Sequence, residues 1–436
     1  MNTEWAEITL KNQRQCQGEV ILPGSKSIAN RALLMAALCD QGQRTTLTNV
    51  LRSDDTDRMI EALQALGVRL EVESATSTTV HVHGCGGHWP QQPAELDLGN
   101  AGTAMRPLLA VLSATWQADA RITLTGDARM QERPVAALVD ALVQGGAPLQ
   151  CSSQWGYPPV RIAAGLQGGT FTIDGSASSQ YISALLMALP LLPQDSVLRL
   201  VGEVVSRPYI ELTLAMLARF GIDIIVQNEH QFLIAGGQRY QSPGHYWVEG
   251  DASAASYWLA AAAIAGGPLT IRGVGRLSIQ GDVAFADCVA QMGAKVTIHD
   301  EYIEVEGAAL YALDADYNAI PDAAMTMATL GLFATGTTHI RNVANWRIKE
   351  TDRLAAMATE LRKVGAQVEE TASSIHITPP AELRHGVIDT YHDHRMAMCF
   401  ALLGFSNAGV TIRDPLCCAK TYPTFFDELL RLTAAE

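Results

Sequence analysis

The sequence predicts an α/β protein of two domains, built from six βαβαββ units, three per domain with pseudo-threefold symmetry. Three observations carry this. Small polar turns run directly into apolar helices six times, at intervals of a little over 70 residues. In five of those intervals a second helix ends at a glycine followed by alternating, strand-like residues. The chain has 436 residues, 48% apolar and 17% charged, which suits two or three domains with full cores and argues against disorder.

The six turns are Gly24-Ser-Lys-Ser, Gly99-Asn-Ala-Gly-Thr, Asp174-Gly-Ser-Ala-Ser-Ser, Glu249-Gly-Asp-Ala-Ser, Ile320-Pro-Asp-Ala-Ala and His392-Asp-His-Arg. The five glycines are Gly67, Gly146, Gly221, Gly293 and Gly365, where a left-handed helix cap suits a residue without Cβ. The last helix, around Phe425 to Leu432, lacks a following strand pair, while the strands predicted at Glu7 to Leu10 and Gly18 to Leu22 have no unit of their own. The N-terminal pair is therefore expected to complete the last unit. That gives one discontinuous domain, 1–22 with 246–436, and an inserted domain, 23–245. The hinge is expected near 22–24 and 240–246, where Gln241-Ser-Pro-Gly breaks the pattern.

Charge narrows the function. Lys and Arg number 31 and Asp and Glu 45, a net charge of 31 − 45 = −14, which excludes a general nucleic-acid or acidic-membrane binder. No apolar run reaches the ~20 residues of a membrane span, and the first residues lack a basic and apolar leader. The eight cysteines have no C-x-x-C spacing and read as reduced thiols of a cytoplasmic protein. No Walker pattern or G-x-G-x-x-G turn is present, and Tyr391-His-Asp-His-Arg lacks a companion histidine cluster, so neither a cofactor nor a metal is expected.

An anion site must then be built locally. Six helix starts rich in Ser, Asn, Asp and Gly offer backbone N–H groups and partial positive charge. Despite the acidic total, cations recur in or beside these turns and in the second loops: Lys26, Arg31, Arg106, Arg129, Arg133, Arg207, Lys349, Arg353, Arg395 and Lys420. Guanidinium forks fit carboxylate and phosphate oxygens two at a time, so the pattern points to small substrates with several negative charges.

The stretches Leu22-Pro-Gly-Ser-Lys-Ser, Leu98-Gly-Asn-Ala-Gly-Thr-Ala-Met-Arg-Pro, Arg129-Met-Gln-Glu-Arg-Pro, Asp174-Gly-Ser-Ala-Ser-Ser-Gln, Ile320-Pro-Asp-Ala-Ala-Met-Thr, Asn345-Trp-Arg-Ile-Lys-Glu-Thr-Asp-Arg and His392-Asp-His-Arg-Met-Ala occur in that order. Together they resemble the signatures of the 5-enolpyruvylshikimate-3-phosphate synthases, members of the enolpyruvyl transferase family. The resemblance implies a two-domain inside-out α/β barrel and a monomer. It also implies transfer of the enolpyruvyl group of phosphoenolpyruvate to the 5-hydroxyl of shikimate 3-phosphate, in aromatic amino acid biosynthesis.

Carried over by motif, Ser27, Arg31, Ser178, Ser179, Gln180, Ser206, Tyr209, Asp322, Asn345 and Lys349 would hold shikimate 3-phosphate. Lys26, Asn100, Gly102, Arg129, Gln180, Arg353, Arg395 and Lys420 would hold phosphoenolpyruvate. Asp322 would take the 5-hydroxyl proton and Glu350 exchange a proton with the methylene carbon, helped by Lys26 and His394. From the residues alone, Asp322 also reads as a helix cap after Pro321, and Glu350 as an i,i+3 partner of Arg353. With ligands on both domains, shikimate 3-phosphate is expected to drive closure of the hinge. The alternatives are the sister transferase acting on UDP-N-acetylglucosamine and a non-catalytic phosphosugar-binding protein. The sister enzymes carry a reactive cysteine in the loop that corresponds to Gly126 to Pro134, where this chain has none.

Overall fold

A computed structural model describes residues 6–74, 77–117 and 121–434. The chain divides into two compact units, Gly24–Val248 and the flanking segments up to Pro23 and from Glu249 onward. The second boundary lies beyond the expected 240–246 because the strand His245–Trp247 pairs in parallel with Arg44–Thr48 and so belongs to the insert.

A typical repeat is a small four-stranded sheet with one inner and one outer helix. In the repeat beginning at Glu95–Asp97, that strand runs parallel to Ile122–Thr125, with the inner helix Gly102–Thr115 between them in sequence. Val160–Ile162 then pairs antiparallel with Ile122–Thr125, and Gln150–Cys151 forms the outer edge. A parallel pair needs a helical crossover and an antiparallel pair only a turn, which is why the unit reads βαβαββ. Among the described residues, five sheets have four strands and the sixth has three. The glycines that close the outer helices, Gly67, Gly146, Gly221, Gly293 and Gly365, all have positive φ, between 76° and 120°.

The N-terminal strands part company. Glu7–Leu10 pairs with Val410–Arg413 and completes the three-stranded last sheet, as expected. Gly18–Ile21 instead pairs in parallel with Leu269–Arg272, so it opens the unit that continues with the helix Ala252–Ala265. Lys11 to Gln17 is long enough to let the two strands join different sheets. The insert therefore enters the chain between a strand and its crossover helix.

Three inner helices pack together in each unit. In the insert they are α1 (Lys26–Leu38), α2 (Gly102–Thr115) and α3 (Ser179–Ala188). In the flanking unit they are α4 (Ala252–Ala265), α5 (Ala324–Leu330) and α6 (His394–Ala401). They are apolar on almost every face, since each is wrapped by sheets or neighbouring helices, and every residue of α1 except Ser27 is buried. In α4, the ring of Trp258 lies 5.3 Å from Phe425 and 6.2 Å from Tyr422, centroid to centroid. Cutting that side chain back to alanine would cost about 3–5 kcal/mol in transfer and cavity terms.

Packing apolar helices this way places their polar first turns at the helix starts. Asp251, Asp393 and Ser178 cap α4, α6 and α3 through side-chain oxygens. The residues before α1, α2 and α5 supply no side-chain cap.

Candidate active site

In the flanking unit the site is organised around one carboxylate and one guanidinium. Asp322 sits on the turn before α5, and its carboxylate does not cap that helix. Trp346 donates from Nε1 to the carbonyl of Pro321 at 2.7 Å, pinning the turn Ala344–Ile348, which carries Asn345, against the Asp322 turn. Asp322 Oδ1 accepts from Arg353 Nη1 at 2.9 Å and lies 3.6 Å from Lys349 Nζ, while Oδ2 accepts from Arg395 Nη2 at 3.1 Å. Burial alone would raise its pKa, but Arg395, Lys349 and Arg353 together outweigh that and hold the carboxyl well below the usual range.

Arg353 begins a helix, Arg353–Lys363, and is 1% exposed. Its Nε and Nη2 donate to Asp393 at 2.7 and 3.2 Å, and Nη2 also donates to Glu350 Oε2 at 2.8 Å. Burial works against this cation, yet Asp393, then Glu350 and Asp322, raise its pKa above the usual arginine value. Burial lowers the pKa of Lys349, assisted by the neighbouring Arg353 and Arg395 and opposed by Asp322. The i,i+3 pair of Glu350 with Arg353 thus exists, as one edge of a larger cluster.

Asp393 is wholly buried and also accepts from the Arg395 backbone N–H at 3.0 Å as the cap of α6. His394 Nδ1 lies 3.6 Å from Asp393 Oδ1, and Arg395 Nη1 donates to the Tyr257 hydroxyl at 3.2 Å. Lys420 is buried on the short turn Pro415–Lys420, which packs against α6.

In the insert, the N-terminal halves of α1, α2 and α3 and the loop that carries Arg133 supply a second set. Lys26 Nζ pairs with Asp55 at 3.1 Å. Arg31 donates to Thr213 Oγ1 at 2.9 Å, the Ser27 carbonyl at 2.9 Å and Ser183 Oγ at 3.3 Å. All three acceptors are neutral, and burial lowers the Arg31 pKa to about 10. Arg106 donates to Gln180 Oε1 at 3.0 Å, and Ser178 Oγ accepts from the Gln180 backbone. Ser179 is the buried first residue of α3. Arg133 donates to the carbonyl and side-chain oxygens of Asn100 at 3.3 and 2.9 Å.

A Cβ on Gly102 would lie 2.0 Å from Arg106 Nη1 and 3.1 Å from Arg133 Nη2. Two buried guanidinium groups therefore converge on one backbone position. Ser206 has φ 53° just before the helix Pro208–Arg219, whose Tyr209 carbonyl accepts from Thr213. Arg129 is on the short helix Ala128–Gln131 and pairs with the exposed Glu132 at 3.0 Å.

Two grouped sets of cations, one per unit, with a heavily paired carboxylate in the flanking unit, suit chemistry on small polyanions. The sequence profile described as EPSP synthase (3-phosphoshikimate 1-carboxyvinyltransferase) matches residues 10–429. The chain belongs to the EPSP synthase family. Relatives named 3-phosphoshikimate 1-carboxyvinyltransferase include that of Idiomarina loihiensis, 58% identical over 427 residues, and that of Pectobacterium atrosepticum, 55% identical over 428, each covering 98% of both chains. The solved EPSP synthase from Acinetobacter baumannii superposes with TM-score 0.81 at 26% identity, covering 98% of each chain. The enolpyruvyl transferase NikO from Streptomyces tendae shares the fold, with TM-score 0.77 at 19% identity.

Within this EPSP synthase family chain, several site groups carry no role in the motif-based assignment. Asp393 and Asp55 are the buried counter-charges of Arg353 and Lys26, and Tyr257 contacts Arg395. Arg106 and Arg133 stand out in sequence only as cations near helix starts, and their convergence on Gly102 depends on packing. Asp393 had one sequence signal, its place inside His392-Asp-His-Arg before an apolar helix.

Proposed function

We infer that the protein transfers the enolpyruvyl group of phosphoenolpyruvate to the 5-hydroxyl of shikimate 3-phosphate, releasing inorganic phosphate, a step of aromatic amino acid biosynthesis. The observation that carries this is the Asp322 cluster in a chain of this family: an ionised carboxylate gripped by Arg353, Arg395 and Lys349, beside Glu350.

The hydroxyl oxygen adds to C2 of phosphoenolpyruvate while C3 gains a proton, and the resulting tetrahedral intermediate expels phosphate as C3 gives a proton back. Asp322 takes the hydroxyl proton and Glu350 exchanges the proton with C3, with Lys26 and His394 assisting. While Arg395, Lys349 and Arg353 stabilise its charge, Asp322 is a poor base. Carboxylate and phosphate groups of the substrate compete for those same cations. As they engage Arg395 and Lys349, the proton affinity of Asp322 rises. Substrate binding and base activation are thereby one event.

The remaining assignments follow the motif. Ser27, Arg31, Ser178, Ser179, Gln180, Ser206, Tyr209, Asn345 and Lys349 take shikimate 3-phosphate. Lys26, Asn100, Gly102, Arg129, Gln180, Arg353, Arg395 and Lys420 take phosphoenolpyruvate. Arg129 would exchange its pairing with exposed Glu132 for the ligand, at small cost for a surface ion pair. With ligands drawn from both units, we read the two crossings of the chain as a hinge, and small-angle scattering with and without shikimate 3-phosphate tests for substrate-driven compaction. We also place the protein in the cytoplasm as a monomer. Its eight thiols are all unpaired, and light scattering on the purified chain checks the mass. No helix of the described residues is long and apolar enough to cross a membrane.

The test is phosphate release in the presence of both substrates. Wild type should release phosphate with shikimate 3-phosphate and not with UDP-N-acetylglucosamine, and Asp322→Ala should abolish turnover while shikimate 3-phosphate still binds. Undiminished turnover in that variant would remove Asp322 as the base, and acceptance of the nucleotide sugar would favour the sister activity.

A further inference from the structure

The turn that delivers Asp393 and Arg395 is strained, and the groups that hold it take no part in the proposed chemistry. Tyr391 and His392 both have φ 55°, consecutive left-handed residues of which neither is glycine or asparagine. Such a backbone persists only where its surroundings impose it.

The restraint comes from the helix Arg353–Lys363. Tyr391 donates its hydroxyl to Glu360 Oε1 at 2.7 Å. Glu360 is completely buried, and its Oε2 accepts from the Asp389 backbone N–H at 3.1 Å and lies 2.7 Å from Lys363 Nζ. Lys363 also binds the Asp389 carboxylate at 2.7 Å and the Val387 carbonyl at 3.2 Å. Beyond Tyr391, the exposed His392 contacts Asp414 Oδ2 through Nδ1 at 2.8 Å.

Glu360 and Arg353 are seven residues apart on one helix, two turns, and so share a face. Arg353 holds Asp393, while Glu360 holds Tyr391 and the Asp389 backbone. One helix face thus fixes positions 389, 391 and 393 in turn. The guanidinium of Arg395, two residues further on, reaches Asp322 from there.

We infer that Glu360 and Tyr391 are positioning residues for phosphoenolpyruvate: their hydrogen bond locks the left-handed turn that sets Asp393 and Arg395 in the anion pocket. The inference rests on the proposed role of Arg395 toward that substrate. Neither residue touches a reacting group, so the effect is on the affinity for one substrate.

Two variants test it. Tyr391→Phe removes only the hydroxyl, and Tyr391→Gly also relieves the backbone strain. Both should raise KM for phosphoenolpyruvate by about three- to tenfold, the scale of one lost hydrogen bond. KM for shikimate 3-phosphate should stay within about twofold. Peptide-level hydrogen exchange should quicken in the segment 390–396 of both variants, with melting temperature little changed. A purely structural role predicts the opposite: a lower melting temperature in Tyr391→Phe, relief in Tyr391→Gly, and unchanged KM for phosphoenolpyruvate. Unchanged KM values, or equal rises for both substrates, overturn the inference. If wild type releases no phosphate from the two substrates, the functional reading fails by itself, while unaltered exchange in segment 390–396 would independently refute the lock.

Discussion

Arg353 donates two hydrogen bonds to Asp393, at 2.7 and 3.2 Å, and both side chains are shut off from water. Arg353 belongs to the first turn of one helix and Asp393 caps another, so the pair ties two elements together as well as setting the charge of the site.

Breaking that pair from one side takes from a fully buried cation the carboxylate that accepts two of its hydrogen bonds, leaving Glu350 and Asp322, and also removes the cap of α6. Asp393→Ala should therefore lose about 3–5 kcal/mol of stability, the typical result of removing one partner of a buried ion pair. Urea denaturation of the variant measures it, and a loss under about 1 kcal/mol would show that water reaches Arg353.

Asp322 gives the flanking unit a pH dependence. Its folded-state pKa is depressed by Arg395, Lys349 and Arg353 against the opposing effect of burial. A carboxyl with a depressed pKa contributes stability in full above its unfolded value, about 3.9, and loses it as pH falls toward the folded value. Wild type should exceed Asp322→Asn in stability at pH 7, and the margin should shrink below about pH 4. A margin that stays constant from neutral to acid pH would contradict the charge pairing.

Gly102 separates a steric effect from a backbone effect. Its φ is not in the left-handed region, so alanine fits the backbone, but the added Cβ meets Arg106 Nη1 at 2.0 Å. Gly102→Ala should displace that guanidinium from Gln180 and raise KM for phosphoenolpyruvate about tenfold, equivalent to one charge-assisted hydrogen bond, with folding stability nearly unchanged. Steady-state kinetics against both substrates, with thermal melts, test this.

Arg31 is a buried cation whose hydrogen-bond acceptors are all neutral, and a phosphate would complete it electrically. Arg31→Met should fold about as stably as wild type while losing the stabilisation that shikimate 3-phosphate confers. That stabilisation is about 2.7 kcal/mol for wild type at a hundredfold excess over Kd. Melting curves with and without the ligand measure both terms, and an equal ligand-induced shift in the variant would remove Arg31 from the phosphate site.

Much of this is legible in the sequence. The six polar turns and five glycines set a repeat, and the glycines are where outer helices close left-handed. Asp322 and Glu350 stood out only by motif, and their alternatives as cap and helical pair needed the structure to be weighed. The Asp322 carboxylate faces three cations instead of capping α5, while the Glu350 pair is present within the cluster. Gly18–Ile21 joins a different sheet from the one expected, because two strands adjacent in sequence look like partners unless a longer connector lets them separate.

The sequence by itself determined what is local: which segments are helix or strand, where helices start and stop, and which residue types cluster near the starts. Those follow from periodicity, capping and backbone preference over a few residues. The tertiary structure decided which charges meet. Arg353 finds Asp393 forty positions along the chain, Arg395 finds Asp322 across seventy-three, and Arg106 crowds Gly102 from the same helix while gripping Gln180 from another. Such pairings depend on the packing of apolar helix faces, whose contacts are set by shape across the core and leave no periodic trace in the chain.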